Sequence, residues 1–198
     1  MDLGSIGAVV AGYLLGSVDF GVIVSRLLGV DIYAAGSGNP GATNVLRTLG
    51  RKQAALVLVG DLAKGVGAAA LGSLAGGPVI GYAAGLAAVV GHCFPVWHRF
   101  KGGKGVAAAG GMIAWLEPLA LVILLGVFVA VVALTRKASL GSLIGALGLV
   151  PTLAAFGVRG WSLGLAGAAV ALVVVRHLPN IRRLLRGSEH AIEEEAAG

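Results

Sequence analysis

The chain has 198 residues, of which 57% are hydrophobic and only 12% charged, and its mean hydropathy is +0.92. A soluble domain carries roughly 25% charged residues, and no soluble core of this size could absorb so much apolar sequence, so the composition predicts an all-α polytopic membrane protein. The formal net charge of +6 comes without an aromatic-rich basic surface for stacking bases, which argues against a nucleic-acid partner and assigns the cations to topology and anionic ligands.

About 20 apolar residues are needed to cross a bilayer, and the spans follow in order. Span 1 is 3–28, interrupted by Asp19 and ending near Arg26. It has the length of a signal peptide but no basic start, since Asp2 is the only charge before Asp19, so it is expected to stay uncleaved. A loop over 29–51 precedes span 2, 52–74, which contains Asp61 and Lys64. Gly76-Gly77-Pro78 predicts a tight turn into span 3, 78–97. A short or re-entrant helix over 104–116 stops at Glu117-Pro118. Spans 5, 6 and 7 follow at 118–135, 139–157 and 161–178, and a polar tail runs from Arg176 to an acidic end at Glu193-Glu194-Glu195. The 34 glycines suit membrane helices that pack through small residues.

This layout gives about seven segments and places thirteen of the 15 Lys and Arg on one side. The positive-inside rule makes that side cytoplasmic, with the N-terminus outside and the C-terminus inside. The loop after span 1, the turn after span 3, the Arg136-Lys137 turn and the tail then share one face and can build one site.

Two polar stretches carry the chemistry. The first is Gly36-Ser37-Gly38-Asn39-Pro40-Gly41-Ala42-Thr43-Asn44, with Arg47 beyond it. Its glycines allow positive φ and an anion-binding nest of backbone N–H groups, Ser37, Asn39, Thr43 and Asn44 add donors, and Arg47 can grip phosphate in a fork. A plain surface turn at Asn-Pro-Gly is the other reading. The second stretch runs from Gly91-His92-Cys93-Phe94-Pro95 to Lys101-Gly102-Gly103-Lys104-Gly105. It is no nucleotide P-loop, because Gly105 stands where Ser or Thr is required. Lys104 can sit at the start of the short helix, where the dipole also favours an anion; snorkelling lysines are the alternative. Asp61 and Lys64 share a helix face as an ion pair or as a substrate contact. Ser139 and Ser142 open span 6 as a cap or as donors. His177 and Asn180 lie three apart at the exit of span 7, where a neutral histidine can accept a proton. The lone Cys93 excludes an internal disulfide, and no Cys/His cluster suggests a metal.

Together these stretches resemble the bacterial acyl-phosphate:glycerol-3-phosphate acyltransferase family, the PlsY type. The resemblance is carried by Tyr13 to Ser17, Gly36 to Asn44 with Arg47, Asp61 to Gly65, Gly91 to Val96, Phe100 to Val106, Ser139 to Ser142, and Arg176 through Glu189. Departures are Ala108, where the family often has Thr, and Val18-Asp19, where it commonly has Ile-Pro.

The resemblance implies a multi-pass enzyme of the cytoplasmic (inner) membrane that moves a fatty acyl group from acyl phosphate to the 1-hydroxyl of glycerol 3-phosphate. The products are lysophosphatidic acid and inorganic phosphate, at the first step of phospholipid synthesis. It implies a monomer with no cofactor or metal, its acyltransferase domain over 1–190 and a disordered tail over 191–198. Catalysis is expected from His177, Lys104 and Asn180. Ser37, Thr43, Arg47 and Lys104 are expected to hold glycerol phosphate. Lys101, Ser142, Asn180 and the glycine backbone of Gly102 and Gly103 are expected to hold acyl phosphate. Gly38, Asn39, Asn44, His92 and Glu189 complete the substrate contacts. Neither histidine has an Asp five residues on (Trp97 after His92, Arg182 after His177), so a His-x-x-x-x-Asp mechanism is excluded. The proton acceptor is either His177 or the departing phosphate. A transporter or flippase of a phosphorylated metabolite, and a membrane scaffold, are the competing readings.

Overall fold

The computed structural model describes residues 2–192. The acidic Glu193-Glu194-Glu195 end lies outside the described residues. Every regular element among those described is helical. Span 1 is two helices, α1 (Leu3–Gly16) and α2 (Phe20–Leu27). Asp19 breaks it by capping α2, its Oδ1 accepting from the N–H groups of Gly21 (3.1 Å) and Val22 (3.3 Å). The stretch expected as a plain loop contains α3 (Ala42–Leu49). This helix is amphipathic: Val45 is fully buried, packed with Val22, Ile32 and Val57.

α4 (Arg51–Cys93) is a hairpin of two arms. Gly77 takes φ +78°, open to glycine at no steric cost, and Pro78 starts the second arm with its fixed φ. Gly65 on the first arm lies so close to α5 (Val106–Leu116) that a Cβ there would collide with the carbonyl of Ala108. On the other side, α1 packs equally tightly through Gly16 against Ala88 of the second arm. The glycine content is thus spent on backbone contact between apolar helices. Gly65→Leu is expected to cost about 2–3 kcal/mol by overpacking and to lower the melting temperature in detergent by several degrees, which a thermal-shift series reads directly.

α6 (Pro118–Thr135), α7 (Ala138–Ala155) and α8 (Gly160–Arg176) complete the apolar helices. On α6 only Ala120 is buried, while Leu119, Val122, Ile123, Leu125, Val129 and Leu134 are exposed, a surface suited to lipid and not to water. Among the described residues four runs, Leu3–Leu27, Arg51–His98, Pro118–Thr135 and Ala138–Ala155, are long and apolar enough to cross a membrane. A fifth, α8 with the short helix that follows it, is bent by 56°. That short helix, α9 (Leu178–Leu185), lies where the sequence reading placed a plain polar tail. Pro179 stands in its first turn, where a missing N–H costs nothing, so the proline that ends α8 also starts α9.

Candidate active site

A single cavity of about 540 Å³ gathers most of the expected residues. Ser37, Asn39, Thr43, Asn44, Arg47, His92, Lys104, Ser142, His177, Asn180 and Glu189 all line it. Arg183 and Ser139 join them at the polar end. The remaining wall is apolar, from Leu58 and Leu62 of α4, Ile113 of α5, Leu121, Leu124 and Phe128 of α6, and Leu149 of α7 to Val170 of α8.

The Ser37 loop binds itself before it can bind a ligand. The Ser37 N–H donates to Asn44 Oδ1 (2.8 Å), and Asn44 Nδ2 donates to the Ala35 carbonyl (3.0 Å). The Gly38 N–H is spent on the Ala35 carbonyl. Asn44 is therefore a brace for the turn, and Gly38, at φ +69°, shapes it without reaching the cavity. Gly36 also has positive φ, but Gly41 does not (φ −71°); it is the N-cap of α3. What meets the cavity is thus the start of α3, at Gly41, Ala42 and Thr43, where helix N–H groups lack helical acceptors, rather than a nest at the glycines. The start of α5 meets the same cavity through Gly105, Val106 and Ala107, so two helix N-termini share it.

Lys104 stands just ahead of α5. Burial pulls its ammonium down to about 8; Glu189 opposes the shift, and Arg183, Arg47 and Arg176 add to it. Protonated at neutral pH, it loses its charge as pH rises through that value. If Lys104 grips phosphate, kcat/KM for a phosphorylated substrate is expected to fall above pH ~8, because that ratio reports the free enzyme. Lys104→Arg, charged throughout, is expected to remove this alkaline arm; a pH–rate series on both proteins checks it.

Four expected contacts are placed elsewhere. Lys101 is exposed and outside the cavity, and its carbonyl takes the Tyr33 hydroxyl (2.6 Å). Gly102 and Gly103 are buried behind the cavity wall, and like Gly38 they do not line the cavity. Their carbonyls accept from Arg176, Nη2 to Gly102 at 2.7 Å and Nε to Gly103 at 3.0 Å, while its guanidinium lies over Phe94.

Two further residues line the cavity with polar atoms engaged by other protein groups. Glu189 accepts from Ser139 Oγ (2.8 Å), Asn180 Nδ2 (2.6 Å) and Arg183 Nε (2.7 Å). Burial pushes its carboxyl up, but the bonds from Asn180, Ser139 and Arg183 outweigh it and hold the group below the usual carboxylate range. Through these bonds Glu189 ties α7 and α9 together across the polar end of the cavity. His92 Nδ1 faces Lys64 Nζ at 2.8 Å, and the ring backs onto Gly103. Arg47 reaches the cavity while donating to the carbonyls of Ala191 (2.9 Å) and His190 (3.2 Å).

At the acid–base end, His177 Nδ1 lies 2.8 Å from the Val173 carbonyl. A carbonyl only accepts, so Nδ1 carries the proton and Nε2 is left as the acceptor of a neutral ring. Asn180 is oriented by the same logic: Nδ2 faces the carboxylate, so Oδ1 points away, buried and without a partner. The amide therefore turns an acceptor toward the cavity, where a group holding acyl phosphate was expected. Sequence reasoning missed the tasks of Ser139, Arg176 and Arg183; the signal was there in polar residues flanking Glu189 and Gly102-Gly103, but which carbonyl or carboxylate they reach depends on the folded loops.

These helices and this cavity define a membrane enzyme that brings a phosphate-bearing polar group against an apolar chain. The family model described as glycerol-3-phosphate acyltransferase matches residues 6–187, and the chain belongs to that family. It is 43% identical over 192 residues to a glycerol-3-phosphate acyltransferase of Rhizobium meliloti (strain 1021), covering 96% of this chain and 94% of the relative. It is 48% identical to one of Anaeromyxobacter dehalogenans (strain 2CP-C), covering 93% and 95%. The fold matches crystal structures of PlsY (YgiH), an integral membrane glycerol 3-phosphate acyltransferase, at 38% identity over 94% of both chains. The TM-score is 0.92 for the glycerol 3-phosphate form and 0.89 for the lysphosphatidic acid form. The protein is accordingly an acyltransferase of glycerol 3-phosphate.

Proposed function

We propose that the donor is an acyl phosphate and that the acyl group goes to the 1-hydroxyl, giving lysophosphatidic acid and inorganic phosphate. The observation that carries this reading is the division of one cavity. Lys104, Arg47, Arg183 and two helix N-termini stand at one end, and an apolar wall from α4 to α8 makes up the rest. Lys104, Arg47 and Thr43 hold glycerol phosphate, with Ser37 and Asn39 at the rim. Ser142 and the start of α5 hold the donor's phosphate, and the fatty chain lies along the apolar wall. Asn180 Oδ1 accepts a hydrogen bond from the attacking hydroxyl. The hydroxyl proton passes to His177 Nε2 or to the leaving phosphate. An acyl phosphate is an activated anhydride, so holding the two reactants in line supplies most of the acceleration.

The same reading places the site on the cytoplasmic side of the inner membrane, with the N-terminus outside and the C-terminus inside. Its support is the positive-inside distribution of Lys and Arg. On this reading the enzyme acts as a monomer without cofactor. Purified protein in detergent, given acyl phosphate and glycerol 3-phosphate, is expected to release phosphate and lysophosphatidic acid in equal amounts. Product formed from an acyl thioester but not from acyl phosphate would refute the donor.

A further inference from the structure

The polar cluster inside α4 has no task in the reaction as described. Lys64 Nζ lies 2.7 Å from Asp61 Oδ1, 2.8 Å from the Val18 carbonyl and 2.8 Å from His92 Nδ1. Asp61, Lys64 and His92 are 1%, 5% and 2% exposed, so the group is nearly dry. An ammonium has three N–H donors and no acceptor. Nζ therefore donates to the Val18 carbonyl and to Nδ1 of His92 and pairs in charge with Asp61, whose Oδ1 also lies 3.5 Å from that Nδ1. A buried ion pair adds little stability over apolar side chains of the same volume, so its presence asks for another reason.

That reason lies at the far edge of the imidazole. Nε2 faces Gly103 so closely that a Cβ on Gly103 would collide with it. The His92 carbonyl accepts the Gly103 N–H at 2.9 Å, and a Cβ on Gly102 would strike that same carbonyl. From the opposite side Arg176 binds the carbonyls of Gly102 and Gly103. The two glycines are thus clamped between His92 and Arg176, and the next residues are Lys104 and Gly105, which enters α5 at φ +86°. Through Val18 the ammonium also grips the break between α1 and α2.

We propose that Asp61, Lys64 and His92 form a positioning unit: the ion pair fixes the His92 ring, and the ring fixes the Gly102-Gly103 backbone that aims Lys104 and the start of α5 at phosphate. Asp61 and His92 border the cavity, but the polar atoms that face Lys64 are held by the cluster and are not offered to substrate. The proposal rests on the reading that Lys104 holds glycerol 3-phosphate, and its test separates the two.

The experiment measures KM for glycerol 3-phosphate, kcat and melting temperature for His92→Ala, His92→Asn and the charge-free double variant Asp61→Leu/Lys64→Met, beside Lys104→Ala. Asparagine presents Oδ1 where Nδ1 was and keeps the Lys64 bond. His92→Ala and the double variant are expected to raise KM about tenfold or more with kcat within about threefold, as loss of binding geometry requires. His92→Asn is expected to recover most of that loss. An unchanged KM in His92→Ala that melts with the wild type overturns the proposal, and so does an asparagine variant no better than alanine. Should His92→Ala fail to fold, an unchanged KM in the double variant overturns it equally. If Lys104→Ala itself retains the wild-type KM, the phosphate assignment falls; if Lys104→Ala loses affinity and the cluster variants do not, only the positioning role falls.

Discussion

Lys104→Ala is expected to lose acyl transfer by at least about 10²–10³-fold, the scale on which removing one preorganised charge-stabilising donor acts, while the protein inserts and melts as the wild type does. The two halves of this expectation have separate causes. The loss follows from position: Lys104 stands before the N-terminus of α5, on the wall of the cavity that also contains Arg47, Arg183, His177 and Asn180. The unchanged folding follows from what surrounds the ammonium. It is crowded by the cations Arg183, Arg47 and Arg176, with Glu189 as the opposing charge. Removing it relieves repulsion and breaks no ion pair among the described residues. Lys104→Arg is expected to keep part of the activity, since the charge remains but the longer fork misplaces it. Activity assays paired with thermal melts check both halves, and wild-type turnover in Lys104→Ala would remove this lysine from the site.

The second large effect is expected at Glu189, and it differs in kind. Glu189→Ala strips three donors of their acceptor at once: Ser139, Asn180 and Arg183. Each buried donor left unsatisfied costs about 1–3 kcal/mol, whereas Arg183, about a third exposed, finds water and contributes less. A fall of several degrees in melting temperature is expected, together with a loss of about 100-fold or more in turnover because Asn180 is no longer aimed. Glu189→Gln keeps one acceptor oxygen and is expected to fall between. A substrate ligand behaves otherwise: its alanine variant would melt unchanged and lose affinity alone. Melting curves and kcat on the same preparations decide between brace and ligand.

The contrast between Lys104 and Glu189 also marks what the sequence could reveal. Lys104, Arg47 and His177 were legible because rare polar residues in an apolar chain must gather where water or anions are. The helices were legible for the same reason, since apolar runs bounded by Gly-Pro, Glu-Pro and Arg-Lys leave little freedom. Glu189 was not, because whether a carboxylate meets a ligand or three protein donors depends on how the chain returns after α9. The bracing task of Asn44 was hidden in the same way: its amide spans Ser37 and Ala35, a closure across nine residues that composition does not encode. α3 and α9 escaped because both are too short and too polar for a hydropathy reading, yet α3 buries Asn44 and Val45 and α9 buries Asn180. Lys101 was drawn in by its likeness to Lys104; only the left-handed turn at Arg99 and Phe100 sends one lysine outward and the other in.

The account depends on one cavity receiving both reactants, and thiol protection tests that most directly. Ser142→Cys in a Cys93→Ser background places a single thiol on the cavity wall. Glycerol 3-phosphate alone and a non-hydrolysable acyl-phosphate analogue alone are each predicted to slow its modification by a small polar thiol reagent. Protection by one of them and none by the other, at saturating concentrations of both, would contradict a shared cavity.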